Sequence, residues 1–381
     1  MIANRNVVAI SIASFFMSFG EELWKRFIPK YLEALGAPIS AIGAYGSIRD
    51  FVDGSYQYPG GWISDRLSRR SSLLLFLSLA TCGYCLYALA PSWHYVVFGV
   101  FFVMAWSSMA NPALFAVIGD ALPEKSRTAG FTMQSLLKRV PVLIAANIGS
   151  LAIAAYGIRE GVRFSLALTV GAAVLTFAVL TAIRLPSRTS RDSSGRTVLA
   201  PALRRLLVSD ILIRVCEGLV DVLVVIYATS VIGISVPQFG ILISIQTAVS
   251  MLGYAPAARF ADQFGRKPFV IATFVFFSLF PLAVVLSQGF IGLVLAFVIG
   301  GLREFGEPAR KAMIVNFARS EFRGRTVGLY YMIRSISISP AAYVGGLLWL
   351  SGPAIPFITA TIVGLAGTAV FAATVEERSA G

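Results

Sequence analysis

The chain has 381 residues, of which 57% are apolar and 13% charged, and its formal net charge is +13. Soluble domains run at roughly 45–50% apolar and about 25% charged, so this composition excludes a water-soluble globule and points to an integral membrane protein. In a chain that crosses a bilayer repeatedly, the basic excess reads as topogenic charge in cytoplasmic loops, and no nucleic-acid partner is expected.

A membrane span needs about 20 largely apolar residues. Twelve such segments can be marked: 7–34, 39–63, 71–91, 93–120, 128–156 and 163–184 in the first half, then 206–233, 236–260, 268–287, 289–317, 326–351 and 353–374 in the second. The first reads as a retained span, because Glu21, Glu22, Lys25 and Arg26 follow its apolar run within the same helical pattern and no small-residue cleavage site appears. Between the halves, residues 184–205 are rich in Ser, Arg and Pro and read as a solvated linker. The expected architecture is therefore all-α and integral to the membrane. An N-terminal six-helix bundle (1–183), a cytoplasmic linker (184–205) and a C-terminal six-helix bundle (206–381) make up a monomer surrounded by lipid bilayer.

Lys and Arg in the loops set the orientation. With both termini inside, nineteen fall on the cytoplasmic side and only Arg159 and Arg163 outside, so a multi-pass protein of the plasma or inner membrane with cytoplasmic termini is expected. Cys82, Cys85 and Cys216 all lie in apolar runs, which fits helix packing and neither a disulfide framework nor a metal site. The single histidine, His94, falls in an outer turn, so no imidazole metal centre is expected.

The second and third spans are joined by GWISDRLSRR at 61–70, and the corresponding place in the second half reads ARFADQFGRK at 258–267. Asp65 is answered by Asp262, Arg69 by Arg266 and Arg70 by Lys267, at an offset of 197 residues. Further echoes at similar offsets pair Glu21 with Glu217, Tyr31 with Tyr227, Asn111-Pro112 with Glu307-Pro308, and Arg127-Thr128 with Arg325-Thr326. The repeated G-x-x-x-D-R-x-G-R-R pattern resembles the signature of the major facilitator superfamily, and the duplication extends the resemblance over nearly the whole chain. The resemblance implies a twelve-helix secondary transporter with its solute site between the halves near the midplane. It also implies a gating role for Asp65, Arg66, Arg69, Arg70, Asp262, Arg266 and Lys267, with each aspartate latching the cytoplasmic side. Ser68 stands in place of the usual glycine and Gln263 in place of the usual basic residue.

The charges inside the spans are unevenly distributed. Spans 1, 2, 5, 7, 10 and 11 carry Lys or Arg, whereas spans 3, 6, 9 and 12 carry no internal charge. A charge at the bilayer centre costs at least ~2.5–3.5 kcal/mol on insertion scales, so the charged spans should face an aqueous cavity and the others lipid. The same division is implied by the resemblance, in which helices 3, 6, 9 and 12 lie outside. Asp210, Arg214, Glu217 and Asp221 fall on one stripe of span 7, and Arg303, Glu307 and Arg310 or Lys311 on one of span 10, beside Glu304 and Pro308, a proline able to open the helix at that depth. Pairs such as Glu22 with Arg26 can also serve only to hold a bundle together. The set as a whole is read as a solute site: Glu21, Glu22, Lys25, Arg26, Lys138, Glu217, Asp221, Arg303 and Arg334 for binding, and Glu217, Asp221, Glu304 or Glu307 for a coupling proton, Glu307 being the first choice because it precedes Pro308.

No phosphate-binding loop and no soluble nucleotide-binding domain are present in the sequence, so transport should be gradient-driven, by protons or alternatively sodium, with no cofactor. A small organic anion or zwitterion is the favoured solute. Span 5, reading KRVPVLIAANIGS, lacks the glycine-rich pattern of drug and proton antiporters. Export of amphipathic drugs or lipids is the second reading, and a non-transporting membrane enzyme or sensor on the same fold is the third. The loop-charge asymmetry predicts that single cysteines at Ser71 and Arg191 react with an impermeant thiol reagent only from the cytoplasmic side, and those at Ser92 and Gly289 only from outside. External labelling at position 191 would overturn the topology.

Overall fold

The computed structural model describes residues 5–110, 124–182, 200–317 and 323–375. Within these ranges the side chains of 5–10, 57–58, 61, 64–66, 69, 124–139, 254–264, 308, 312, 315–316, 323–325 and 327 lie outside the description. Helices account for nearly all of the ordered secondary structure. In chain order they are α1 (Arg5–Glu22), a 3-10 turn (Lys25–Phe27), α2 (Ile28–Ala34), α3 (Ile39–Arg66), α4 (Arg69–Ala88), α5 (Trp93–Met104) running into a π turn (Ala105–Met109), and α6 (Glu124–Ala182). They continue with α7 (Pro201–Val220), α8 (Val224–Ile226) with a second π turn (Tyr227–Val231), α9 (Val236–Phe264), α10 (Lys267–Leu286), α11 (Phe290–Leu302), α12 (Glu307–Phe317), α13 (Arg323–Ile338), α14 (Ala341–Trp349) and α15 (Ile355–Thr374). Among the described residues, five stretches are long and apolar enough to cross a membrane by length and composition, and they fall in α4, α6, α9, α10 and α15.

Helix α6 has 59 residues, which at 1.5 Å per residue would reach about 88 Å, far beyond a hydrocarbon core of about 30 Å. Gly157 divides it. Its φ of +80° lies in the left-handed region that only glycine enters cheaply. A Cβ placed on Gly161 would lie 2.7 Å from the backbone nitrogen of Ile153, so the two legs fold back on one another as the expected fifth and sixth spans.

Among the described residues, four of the expected spans are broken rather than continuous. Span 1 breaks at residues 23–27, span 7 after Val220, span 10 between Leu302 and Glu307, and span 11 at Ser339-Pro340. The sequence places the bend of span 10 at Pro308. The structure places it in the four residues before, with Pro308 in the first turn of α12, where its missing N–H costs nothing. The break frees the amide of Gly306, which is met by Thr273 Oγ1 at 2.6 Å from α10. A side chain at Gly306 would strike the Phe269 carbonyl. By contrast α4, the second leg of α6, α10 and α15 run unbroken, and these are the four spans without internal charge.

Contacts divide the chain into two compact units, residues 1–37 with 51–192 and residues 38–50 with 193–381. In the first unit α1 packs along α6, and α4 packs against α5 and α6. Trp24, buried at the break in span 1, donates from Nε1 to Thr169 Oγ1 at 3.1 Å and meets Tyr84 and Tyr87 edge-on. In the second unit α7 packs against α15, α14, α13 and α10. Its apolar core includes Leu206, Ile213, Phe274, Ile314 and Phe371. The segment 38–50 joins this unit through a seam of small residues: Gly43 and Gly46 lie against the backbone and Cβ of Ala342, and the amide of Tyr343, in the first turn of α14, donates to Ser47 Oγ at 2.8 Å.

Each unit closes with a basic side chain on the last turn of its final span. Arg70 donates to the Thr181 carbonyl at 2.6 Å, and Lys267 to the Ala372 carbonyl at 2.9 Å. These repeat-related residues thus satisfy carbonyls that a helix C-terminus leaves open. Backbone-to-backbone packing predicts one sharp stability difference. A Cβ at Gly149 would collide with the Leu23 carbonyl, so Gly149→Ala should cost about 1–3 kcal/mol and lower the melting temperature in detergent. Gly171→Ala, with nothing within 4 Å, should leave melting unchanged or raise it slightly.

Candidate functional site

The charged stripe of α7 meets the charges of α12, of α13 and of the break after α11 in a continuous chain of ion pairs. Its buried node is Arg310 on α12, which binds Glu307 through Nε at 2.8 Å and Nη2 at 2.5 Å and Asp210 on α7 through Nη1 at 2.5 Å. Tyr330 on α13 donates to the same Asp210 oxygen at 2.9 Å. Arg214, one turn along α7, donates to Glu217 at 2.7 Å and approaches Glu307 at 3.7 Å. Arg303, at the start of the break after α11, lies 3.3 Å from the other Glu217 oxygen, and Lys311 lies 3.6 Å from Glu307. Arg334 on α13 stands 3.5 Å from Asp210. The chain holds five cations and three carboxylates, and Glu304, half-buried in the break, adds a fourth carboxylate beside Arg303.

The five cations are not equally held. Arg310 is almost wholly buried, and three of its nitrogens are in short hydrogen bonds. Arg303 and Arg334, whose side chains are only 14% and 16% exposed, make no hydrogen bond among the described residues. Their guanidinium groups rest instead on aromatic faces. Arg303 lies over Phe277 and Phe280, each ring centroid 5.3 Å away, and Arg334 over Tyr331 at 4.6 Å. Stacking on a ring face holds a guanidinium in place while its in-plane donors stay available to a planar or tetrahedral anion.

The remaining expected site residues are distributed over both units. Asp221, at the end of α7, receives Arg49 at 2.8 Å, and Arg49 also binds Asp50 at 2.9 Å. In the first unit Glu21 is buried and accepts from Tyr84 Oη at 2.7 Å. Glu22 pairs with Arg26 at 3.6 Å, as their spacing suggests. Lys25, half-buried in the 3-10 turn of span 1, has no ion pair among the described residues. Of the gating set, Arg70 and Lys267 cap helix ends and Arg266 is half-buried before α10. The side chains of Lys138, Asp65, Arg66, Arg69 and Asp262 lie outside the described residues. Sequence reasoning missed the aromatic platform. Phe277 and Phe280 belong to a span with no charge at all, where a phenylalanine gives no sign of standing under an arginine two helices away in sequence.

Many helical spans, four of them broken among the described residues and each of those four charged, define a multi-pass membrane protein with polar groups in its interior. The sequence matches the Major Facilitator Superfamily over residues 10–220 and again over 206–380, and the chain belongs to that family. Its fold is the family's all-α arrangement of twelve helices. A relative from Methanocaldococcus jannaschii described as an MFS-type transporter is 21% identical over 379 residues, covering 95% of this chain and 93% of the relative. Similar crystal structures include a POT family transporter in complex with 5-aminolevulinic acid (TM-score 0.81, 14% identity, 97% of this chain and 96% of that one). Others are the nucleoside transporter NupG (TM-score 0.79, 14% identity, 96% and 98%) and the human organic anion transporter MFSD10 (TM-score 0.67, 16% identity, 97% and 100%). At these identities the structural likeness establishes the fold.

The ion-pair geometry predicts an unequal response to charge removal. Arg310→Met leaves Asp210 and Glu307 buried without their main partner and should cost about 3–5 kcal/mol, read as a large drop in melting temperature, with partial recovery when Asp210→Asn is added. Lys311, which is 57% exposed, should tolerate Lys311→Met with a loss below about 1 kcal/mol.

Proposed function

We propose that this protein is a secondary transporter of a small organic anion or zwitterion, working by alternating access in the cell membrane with both termini cytoplasmic, as a monomer of two bundles (1–183 and 206–381) joined by the linker 184–205. The observation that carries this reading is the pair Arg303 and Arg334. Two largely buried guanidinium groups that make no hydrogen bond among the described residues, in a chain of ion pairs with more cations than carboxylates, leave donors for an acidic group on the solute. An aromatic shelf under each fixes the direction of approach. Lys25, Arg26 and Lys138 are further candidate contacts for acidic groups, while Glu21, Glu22, Glu217 and Asp221 suit the ammonium end of a zwitterion.

Coupling is proposed to run on protons, through the carboxylates Glu217, Asp221, Glu304 and Glu307. Among these Glu217 is now the favoured carrier. Glu307 is clamped by two short bonds from Arg310, whereas Glu217 is shared between Arg214 and the loosely held Arg303, so it is the one whose partner a solute anion would draw away. Asp65, Arg66, Arg69, Arg70, Asp262, Arg266 and Lys267 are proposed as gating residues on the cytoplasmic side.

The test is counterflow in proteoliposomes with a panel of labelled solutes: lactate, succinate, glutamate, glycerol phosphate, a dipeptide and an amphipathic cation. Anions or zwitterions should exchange, and Arg303→Ala and Arg334→Ala should each weaken apparent affinity about 10–100-fold, an effect of the order expected for losing a charge-assisted contact. Arg303→Lys should recover little, since an ammonium cannot keep both the ring stacking and the planar donors. Exchange of the amphipathic cation alone would favour the drug-efflux reading, and wild-type anion affinity in both alanine variants would remove the proposed site.

A further inference from the structure

The carboxylates on the described membrane helices differ in what they face. Asp210, Glu217, Asp221 and Glu307 each face an arginine, and Glu22 faces Arg26. Asp53 does not. It stands in the middle of α3, 14 residues from the helix start at Ile39 and 13 from its end at Arg66. It is half-buried, and among the described residues its partner is a neutral one, the hydroxyl of Ser108, which donates to Oδ1 at 2.6 Å. No cation lies within ion-pair distance of it among the described residues.

The surroundings of Asp53 contain few ionisable groups. On its own helix Arg49, one turn away, is turned to Asp50 and Asp221, and Tyr56 donates its hydroxyl to the Phe101 carbonyl. From the facing element the contact is Ser108, fully buried within the π turn 105–109, and no residue from 96 to 110 is Asp, Glu, Lys, Arg, His or Tyr. The two backbones are in close contact about two turns further along α3, where a Cβ at Gly60 would lie 2.6 Å from the Met109 Cα. A π turn widens a helix by one residue and is often found where a helix serves a site, and here it is the element that presents Ser108 to Asp53.

We propose that Asp53 is a proton-carrying carboxylate of the transport cycle, in the first unit and in addition to the carboxylates of the second. This rests on the proton-coupled reading given above. A carboxylate in the middle of a membrane span is costly and marks function more often than packing, and Asp53, with no counter-ion among the described residues, can take up a proton without breaking any ion pair described there. The proton adds to a carboxylate oxygen of Asp53 from water and leaves by the same route, with no other bond made or broken. Ser108 accommodates both forms: it donates to the carboxylate, and by turning its hydroxyl it accepts from the carboxylic acid. Arg49 stands at i−4, the helical spacing at which it can reach Asp53 when it leaves Asp221, and its arrival would expel the proton.

Two measurements on the full chain in liposomes test this. In infrared difference spectra recorded on acidification, the wild type should show a carboxylic-acid C=O component that is lost in Asp53→Asn and persists in Glu217→Gln, whatever further component Glu217 itself contributes. A band unchanged in Asp53→Asn overturns the inference, whatever the solute. With the labelled anion that gives the highest wild-type counterflow, Asp53→Asn should keep counterflow within about twofold while losing at least tenfold of pH-gradient-driven accumulation, and Asp53→Glu should regain part of it. Equal accumulation in wild type and Asp53→Asn overturns this inference alone. Loss of counterflow along with accumulation makes Asp53 a structural or solute-binding residue and overturns it too. A wild type that exchanges solute but ignores the pH gradient overturns proton coupling itself.

Discussion

The second unit depends on one buried contact, the guanidinium of Arg310 between Glu307 and Asp210. It joins α12 to α7, and the Tyr330 bond to the same Asp210 oxygen brings in α13, so three helices that are remote in sequence are fixed at one point. In a bilayer the apolar side chains of neighbouring helices gain little by leaving lipid, so hydrogen bonds and close packing have to supply what the hydrophobic effect supplies in water. Three short charge-assisted bonds on one arginine do this, and they free the outlying members of the same chain, Arg303 and Arg334, from holding the fold. A tight node with loose ends lets those ends respond to a ligand while the scaffold stays still.

Where the helices break follows the same division of labour. Unpaired backbone groups are tolerated at membrane depth only when protein or a polar cavity satisfies them. The breaks occur in spans 1, 7, 10 and 11, all of which carry charges, and the freed amide of Gly306 finds Thr273. The spans without charge are continuous. Every described break thus falls in a span that carries charge, although charge does not require a break: α3 carries Arg49, Asp50 and Asp53 in one continuous helix.

Much of this was legible in the sequence, for reasons that differ by element. The span count and the turn at Gly157 follow from hydrophobic length. The grouping of Asp210, Arg214 and Glu217 follows from helical spacing, which the bilayer makes informative because charge is so costly there. The break of span 10 lies a few residues ahead of Pro308, a difference the sequence does not show, because proline in the first turn of a helix and proline within one look alike in sequence. Pairs one turn apart, such as Glu22 with Arg26, were legible, but what pairs between helices was not. Arg310 binds a carboxylate 100 residues away, Tyr84 reaches back 63 residues to Glu21, and the arginines rest on Phe277 and Phe280 from a featureless apolar run. Such contacts are set by tertiary packing, and one sequence contains no signal for them.

The separation of Arg310 from Asp210 along the chain has a consequence for how the protein is made. Span 7 carries Asp210, Arg214 and Glu217, and at about 2.5–3.5 kcal/mol or less for each it is a poor candidate to enter lipid alone. The arginine that neutralises Asp210 is synthesised 100 residues later, which at 5–20 residues per second is a delay of roughly 5–20 s. During that interval span 7 has to be kept from committing to the bilayer, either held at the insertion machinery or left in contact with water. The uncharged α10, made in between, can settle at once and offer it a wall. On these costs, retention of span 7 until its counter-charge arrives is favoured over sequential release of independent helices.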